Sequence, residues 1–237
     1  MSKIIEFMKV FNSRTCQVVL GAGAMRSAGL KNITAKHLAL ASQALSIMIA
    51  LIPYIREAVR RHLNPKQAVM LTEFDKLKRD YQEHQHEIHA KLVAIMSDRL
   101  QVHSRSLEGI NFEEPAPRGP DTPNAYMEAL VKEHNTLHKV LSRFLATETV
   151  AAIMGQVFSA LDERLVEVFA RVEPRSRSAR DRMLVDVRYL RERLGELKGV
   201  EDNGPGKVRP TRFFFSHSSS RALTLPIIAG SRGARLG

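Results

Sequence analysis

Residues 70–95, MLTEFDKLKRDYQEHQHEIHAKLVAI, place apolar side chains alternately four and three residues apart. This alternation keeps one stripe of a helix facing a partner helix, so the segment predicts a long helix within a bundle. We expect this helix to open at Pro65, where a proline is tolerated, and we expect Leu92 to be buried beside the stripe. The stripe consists of Met70, Phe74, Leu77, Tyr81, His84, Ile88 and Ile95.

Two more helices are predicted before this segment. Residues 2–20 carry a helical apolar pattern that is broken at Gly21. Thr34 can cap a second helix, because its hydroxyl can accept from the first free backbone amides. Pro53 removes one backbone hydrogen bond, so we expect a kink there with the helix resuming through Val59.

Three helices are predicted after the long one. Residues 114–123 hold four prolines and must form a loop, because proline lacks the amide donor and fixes φ. Thr147 can cap the fifth helix, and Ser178 with Asp181 fits a capping box for the sixth, which stops near Gly199. No segment alternates with period two, so the sequence predicts an all-α domain of about six helices. The three stripes are Met127, Leu130, Val131, His134, Leu137, Leu141 and Phe144; Val150, Ile153, Met154, Val157, Leu161, Leu165 and Val168; and Leu184, Val187, Leu190, Leu194 and Leu197.

Charge and composition divide the chain in two. The formal net charge is +11, and residues 203–237 contribute six basic residues with no acidic one, which leaves +5 for residues 1–202. From Asn203 onward the composition turns to Gly, Pro, Ser and Arg. We therefore expect a folded domain over residues 1–202 and a disordered basic tail over 203–237, or a tail translated from sequence that is not normally coding.

The sequence predicts a cytosolic or peripheral protein. Its longest apolar stretch, Leu38–Ile52, is interrupted by Ser42, Gln43 and Ser46, and crossing a bilayer takes about 20 mostly apolar residues. The N-terminus mixes charged residues among apolar ones, unlike a signal peptide. The single cysteine, Cys16, excludes an intramolecular disulfide and is expected to be a small buried thiol.

A glycine-rich run after the first helix invites a nucleotide-binding interpretation, but the pattern is incomplete. Gly21 and Gly23 would need a third glycine at position 26, which is Arg26, and no acidic residue lies between Glu6 and Glu57 to bind a ribose. A NAD-dependent enzyme is therefore disfavoured. We hypothesise that the glycines let the first helix end and the second pack closely, with at least one at positive φ.

The histidine-rich segment 83–89 resembles known metal-binding motifs but lacks ligands that each of them requires. Glu83 and His86 form one Glu-x-x-His pair, but a di-iron bundle needs two, and the H-E-x-x-H motif fails because position 90 is alanine. We expect a solvated helix face with His84 partly buried, and we assign no metal to His86 or His89.

His134 and His138, four residues apart, could bind zinc, but no third ligand is evident. A packed, hydrogen-bonded His134 is the favoured interpretation. With no assembled nucleophile and base, the sequence predicts no catalytic, cofactor-binding or metal site, and hence a protein that is not an enzyme.

Residues 7–56 contain no acidic residue, and their basic side chains include Arg26, Lys31 and Lys36. Such a stretch can form a positive surface for anionic lipid, although a basic run is more often a solvated face. We take these three residues as a candidate interaction surface.

Several motifs resemble a known family in their order and spacing. They are Asn12–Ala24 and Gly29–Thr34, then Pro53 with Ile55-Arg56, and Lys91–Met96. Together they are similar to the C-terminal domain of the vacuolar protein sorting-associated protein 54 family, subunits of the Golgi-associated retrograde protein (GARP) tethering complex. The resemblance covers most of residues 10–100, with sparser support to about residue 200.

This resemblance implies stacked antiparallel helical bundles at the end of a long rod. It implies a non-catalytic tethering subunit in retrograde transport from endosomes to the trans-Golgi network, peripheral on the cytosolic face of both membranes. The implied partners are the other subunits of the complex and endosomal membrane-associated proteins or anionic lipid, with no cofactor and no specific nucleic acid. The long N-terminal part of the family is absent here, and nothing after about Asn203 resembles it.

A basic helical nucleic-acid-binding module is the alternative from another class. It is disfavoured because the chain has no Trp and only four Tyr, so it offers little aromatic surface for stacking bases.

Overall fold

The computed structural model describes residues 2–21, 32–64, 68–69, 71–172 and 174–197. Within these ranges the chain forms six α-helices and no β-strand, which confirms the all-α prediction. The helices are α1 (Ser2–Gln17), α2 (Ala35–Arg60), α3 (Thr72–Glu108), α4 (Ala125–Phe144), α5 (Thr147–Arg171) and α6 (Arg177–Gly195). The predicted basic tail, residues 203–237, lies outside the described residues.

Helix α3 is the axis on which α1, α2, α4 and α5 pack, and α6 packs on α4. It has 37 residues and is therefore about 55 Å long. Helix α2 runs antiparallel to it, because Ser42 lies against His89 while Arg56 lies against Asp75. Pro53 is accommodated inside α2, which continues to Arg60.

Two hydrophobic cores are stacked along α3. The first core is formed by α1, α2, the first half of α3, the end of α4 and the start of α5. The second core is formed by the end of α3, the start of α4, the end of α5 and α6. Helix α4 therefore runs antiparallel to α3, and α5 runs parallel to it. Phe158 packs against both cores and joins them.

The predicted stripe of α3 is confirmed from Phe74 through Ile88, with His84 half-buried, and then rotates; Met70 lies outside the described residues. Ile95 is only half-buried, and the buried positions continue at Leu92, Met96 and Leu100. The rotation is expected because an α-helix has 3.6 residues per turn and drifts from a strict four-three alternation. Leu92 is 1% exposed, which confirms its predicted burial. The predicted opening at Pro65 lies outside the described residues.

The stripes of α4 and α5 are confirmed, with only Phe144 left half-buried. The stripe of α6 is partly wrong. Leu184 and Val187 are half-buried, whereas Arg182 and Asp186 are buried in their place.

Two predicted caps are also wrong. Ala146 occupies the N-cap of α5, and Thr147 is its first helical residue. The N-cap of α6 is Ser176, whose hydroxyl accepts from the backbone N–H of Ala179 at 3.0 Å, so Ser178 lies already inside the helix. Thr147 is thus the first residue of α5 and Ser178 the second residue of α6, so each predicted cap lies just inside its helix.

The predicted proline-rich loop is confirmed as a chain of turns between α3 and α4. Gly119 has φ of 104°, a conformation that favours glycine, and its N–H donates to the carbonyl of Ala116 at 3.1 Å. Gly21 has no positive φ, and Gly23 lies outside the described residues, so the expectation that at least one of the two has a positive φ stays a prediction. A Cβ on Gly21 would lie 2.8 Å from the carbonyl oxygen of Gln17, the last residue of α1, so the end of this helix favours glycine at position 21.

Candidate interaction surface

Of the three basic residues of the candidate surface, the structure describes only Lys36. Its side chain is exposed in the first turn of α2, where the backbone N–H of Thr34 donates to Nδ1 of His37 at 3.1 Å. Arg26 and Lys31 lie outside the described residues.

The acid-free stretch of sequence does not form an acid-free surface. Helix α3 supplies carboxylates to it: Glu73 lies 3.1 Å from Nζ of Lys9, and Asp75 lies 3.3 Å from Nε of Arg56. These pairs are solvent-exposed and add little stability, but they reduce the local positive charge. The sequence could not reveal them, because the carboxylates come from a distant part of the chain.

The histidine-rich segment of α3 packs against α2 instead of pointing wholly to solvent. His89 Nε2 lies 2.8 Å from the hydroxyl of Ser42, and Gln85 donates to the Ser42 carbonyl at 3.0 Å and to the Ser46 hydroxyl at 2.5 Å. Burial, followed by the charge of His86, lowers the pKa of His89. The expected solvated face is thus wrong for His89 and right for the exposed His86.

This serine–histidine contact has the atoms of a nucleophile and its base, but Ser42 is fully buried. A nucleophile must reach its substrate, so the geometry makes this pair a polar link between α2 and α3. It was missed in the sequence because the two residues are 47 positions apart.

His134 is a packed histidine, as predicted. Its Nδ1 lies 2.7 Å from the carbonyl oxygen of Leu130, and its ring stacks on Phe158 at a centroid distance of 6.1 Å. Burial is the main cause that lowers the pKa of His134. Among the described residues, no group of three or more His, Cys, Asp or Glu side chains is arranged to hold a metal ion.

Cys16 is buried in the first core, as predicted. Burial, with a smaller effect from Glu87, raises the pKa of its thiol to about 11. At neutral pH the thiol therefore stays protonated and is a poor nucleophile.

A polar cluster on α6 was missed in the sequence. The carboxylate of Asp186 accepts hydrogen bonds from the backbone and side chain of Asn124 and from the hydroxyl of Tyr126. One turn earlier, Arg182 donates to the backbone carbonyls of residues 111, 112 and 114, and its guanidinium lies 5.4 Å from the ring centroid of Phe112. The sequence signal that could have revealed this cluster is the pair Arg182 and Asp186, two charged residues four positions apart on one face of a predicted helix.

A groove of about 510 Å³ lies between the proline-rich loop and helices α3 and α4. At its wall, His103 Nε2 lies 3.1 Å from Glu133, which also accepts from Arg99 at 2.9 Å. Arg118 of the loop pairs with Glu128 of α4 at 2.9 Å. The charges that border the groove are therefore already paired within the chain.

Helix α2 exposes four large apolar side chains, those of Leu40, Ile47, Leu51 and Tyr54. By length and composition it is the one described helix that could cross a membrane, yet Leu38, Leu45 and Ile52 are buried in the first core. On its outer side, Ile47 is 56% exposed and Tyr54 is 75% exposed. A soluble protein rarely leaves several large apolar side chains of one helix in water.

Known proteins resemble this chain over most of its length. Residues 1–99 match the family model described as Vps54-like protein. The vacuolar protein sorting-associated protein 54 of Arabidopsis thaliana is 37% identical over 226 residues, 91% of this chain and 21% of that protein. The protein of the same name from Homo sapiens is 33% identical over 204 residues, 85% of this chain and 20% of that protein.

Two solved structures are also similar. One is described as the C-terminal domain of the Vps54 subunit of the GARP complex, with 21% identity, a TM-score of 0.42 and coverage of 54% of this chain and 92% of that one. The other, described as the Vps54 C-terminal domain, has 23% identity, a TM-score of 0.44 and coverage of 61% and 97%. The chain spans about a fifth of the length of the curated relatives it matches. From the family-model match and the 33–37% sequence identity to the human and plant relatives over 85–91% of its length, the chain belongs to the Vps54-like family.

Proposed function

We propose that this helical domain is a non-catalytic part of a multisubunit vesicle-tethering complex in retrograde transport from endosomes to the trans-Golgi network. The observation that carries the proposal is the sequence similarity to Vps54 proteins, which extends over 85–91% of the chain for the plant and human relatives. A solved relative of the same name is described as a subunit of the GARP complex. On this proposal residues 1–202 are the tethering-subunit domain, and residues 203–237 are a separate basic tail.

The proposed partners are the other subunits of the tethering complex and the cytosolic face of endosomal and trans-Golgi membranes. The domain would help to place the complex on endosomal membranes through the surface that includes Arg26, Lys31 and Lys36. Support comes from the exposure of Lys36 and from the excess of basic residues in the first 56 positions. Basic side chains near an anionic membrane contribute about 1 kcal/mol each.

Two measurements test the proposal. Tagged full-length chain expressed in cells should co-purify with subunits of the tethering complex and co-localise with endosomal and trans-Golgi markers. Absence of both results would reject the tethering role.

For membrane placement, flotation with vesicles of phosphatidylcholine and phosphatidylserine should recover the chain, and vesicles of phosphatidylcholine alone should not. The triple variant Arg26→Glu/Lys31→Glu/Lys36→Glu should lose flotation. The matched control places three glutamates in the tail, at Lys207, Arg209 and Arg212. If only the control loses flotation, nonspecific attraction to the tail explains the binding. Preferential retention on RNA would instead favour the nucleic-acid-binding alternative.

A further inference from the structure

A second groove, of about 320 Å³, lies between α4 and α6 and shares no residue with the groove beside the proline-rich loop. Three basic side chains line it, those of Lys132 and Lys139 on α4 and of Arg193 on α6. Among the described residues, no Asp or Glu lines this groove. Cations that converge on a concave surface attract anions, so we call it the basic groove. The rest of its lining is Val131, Asn135, Thr136 and Tyr189.

The spacing of the two lysines places them on the same side of α4. They are seven residues apart, which is close to two helical turns and about 10 Å along the helix axis. Thr136 lies between them, one turn after Lys132. Arg193 approaches from the neighbouring helix, because α6 packs on α4. An anion in the basic groove is therefore contacted from two helices.

The two lysines are not neutralised within the described part of the chain. No ion pair between described residues includes Lys132 or Lys139. One turn before Lys132, the carboxylate of Glu128 is paired with Arg118 at 2.9 Å. One turn after Lys139 comes Arg143, and like charges at this spacing weaken a helix. This side of α4 thus keeps a positive charge that the neighbouring residues do not compensate.

Arg193 is held in position beside the lysines. Its guanidinium lies 5.7 Å from the ring centroid of Tyr189, and that ring packs against the second core. Its ion pair with Glu196 is long, at 3.8 Å, and both side chains are more than half exposed, so the pair contributes little. The guanidinium therefore remains free to donate two parallel hydrogen bonds to a phosphate group.

Asn135 gives the basic groove a second kind of contact. Its Oδ1 atom is buried and has no hydrogen-bond donor among the described residues, which is uncommon for a buried polar atom. A hydroxyl group of a ligand can donate to this oxygen, whereas an ionised phosphate cannot. The two lysines are too far apart for one phosphate group to contact both closely. We propose that the basic groove binds a ligand with two or more phosphate groups on a hydroxylated ring, the chemistry of an inositol phosphate.

The proposal does not rest on the tethering function, because binding is measured on the full chain alone. Isothermal titration calorimetry with inositol trisphosphate should show saturable binding. Lys132→Gln/Lys139→Gln/Arg193→Gln should raise the dissociation constant by about tenfold or more, because it removes every cation that lines the groove. Far-ultraviolet circular dichroism should show that this groove variant keeps the helical fold.

An equally charged variant on the same helix is the matched control. Arg180→Gln/Arg188→Gln/Arg191→Gln removes three positive charges from exposed positions of α6 outside the groove. It also leaves the basic tail unchanged, as the groove variant does. The control should bind inositol trisphosphate as the wild-type chain does.

Asn135→Ala separates recognition of the hydroxylated ring from attraction between charges. It should weaken binding of inositol trisphosphate several-fold, because the ring hydroxyl loses its acceptor. Inorganic triphosphate carries several negative charges but no ring hydroxyl, so its binding should stay unchanged. Inorganic phosphate should bind more weakly than either, since one group cannot contact both lysines.

Flotation distinguishes the two sources of this chemistry. Phosphatidylinositol bisphosphate carries inositol trisphosphate as its headgroup, whereas phosphatidylinositol has the same ring without the additional phosphates. Recovery of the wild-type chain, but not of the groove variant, on phosphatidylcholine vesicles with the bisphosphate would assign the site to a lipid headgroup. Binding of the soluble ester without such recovery would assign it to a free inositol phosphate. Flotation on phosphatidylserine, which tests the proposed membrane placement, is a separate result.

Three outcomes would overturn the proposal. The first is a wild-type chain that does not bind inositol trisphosphate. The second is a groove variant that binds as the wild type does, or a matched control that loses binding to the same extent, which would mean general attraction between charges. The third is Asn135→Ala with unchanged binding of inositol trisphosphate, which would exclude recognition of a ring hydroxyl.

Discussion

Asp186 on α6 accepts the backbone N–H of Asn124 at 2.7 Å, so a carboxylate near the end of the domain fixes the residue at which α4 begins, 62 positions earlier. The same carboxylate accepts the Asn124 side-chain amide at 2.9 Å and the Tyr126 hydroxyl at 2.7 Å. Burial raises the pKa of Asp186, and these hydrogen bonds oppose the shift. The carboxylate thus joins α4 to α6 at the second core.

Asp186→Ala should lower the free energy of unfolding by about 3 kcal/mol, because it leaves the donors of Asn124 and Tyr126 buried without an acceptor. Urea denaturation measures the loss. Asp181→Ala, at an exposed position of the same helix, should change stability by less than about 0.5 kcal/mol. Equal effects of the two substitutions would contradict a structural role for the Asp186 cluster.

Leu92→Ala should destabilise the domain by about 2 to 5 kcal/mol through lost apolar transfer energy and the cavity that remains. Leu92 is almost completely buried in the first core. Val102→Ala on the same helix is the exposed control and should have little effect. An unchanged melting temperature for Leu92→Ala would show that the packing register of α3 is wrong.

Gly21→Ala should destabilise the domain by about 1 to 3 kcal/mol, because its Cβ would approach the Gln17 carbonyl oxygen to 2.8 Å. Gly155 in α5 is the matched control, since a Cβ there meets no atom within 4 Å. Gly155→Ala should stabilise the protein by about 0.5 to 1 kcal/mol through its better helix propensity. The melting temperatures of the two variants should shift in opposite directions. A stabilising Gly21→Ala would show that the approach to the Gln17 carbonyl oxygen does not favour glycine at position 21.

The contribution of His134 to stability should fall as the pH drops below about 6.5, the pKa of an unfolded histidine. Burial lowers the pKa of His134 in the folded protein, so acid favours the unfolded chain, which binds the proton more readily. His89 acts with the same sign. The stabilising contribution of each histidine is complete above its pKa in the unfolded chain. It is lost as the pH falls through its pKa in the folded protein.

His134→Gln should therefore weaken the dependence of unfolding free energy on pH between about pH 7 and 5, besides lowering stability at every pH. Urea titrations at several pH values measure this slope. A slope that is the same in wild type and His134→Gln would mean that His134 does not titrate with folding.

Much of the fold was predictable because the apolar pattern of each helix lies within one short stretch of sequence. The stripes of α4 and α5 were predicted residue by residue, since both helices bury a continuous apolar face. Predictions that depended on one or two residues were less successful. At the start of α6, Ser176 and Ser178 are both acceptable caps by type, and the structure selects Ser176 because its hydroxyl reaches the amide of Ala179.

The sequence by itself determined that the described part of the chain is helical and which faces of most helices are buried, because a period of about 3.6 residues is written in the order of apolar and polar side chains. Only the tertiary structure decided which distant residues meet. It brings His89 to Ser42, Asp186 to Asn124 and the carboxylates of α3 to the basic residues of α1 and α2. It also leaves Ile47 and Tyr54 of α2 exposed. Such contacts depend on how whole helices pack, so no short stretch of sequence encodes them.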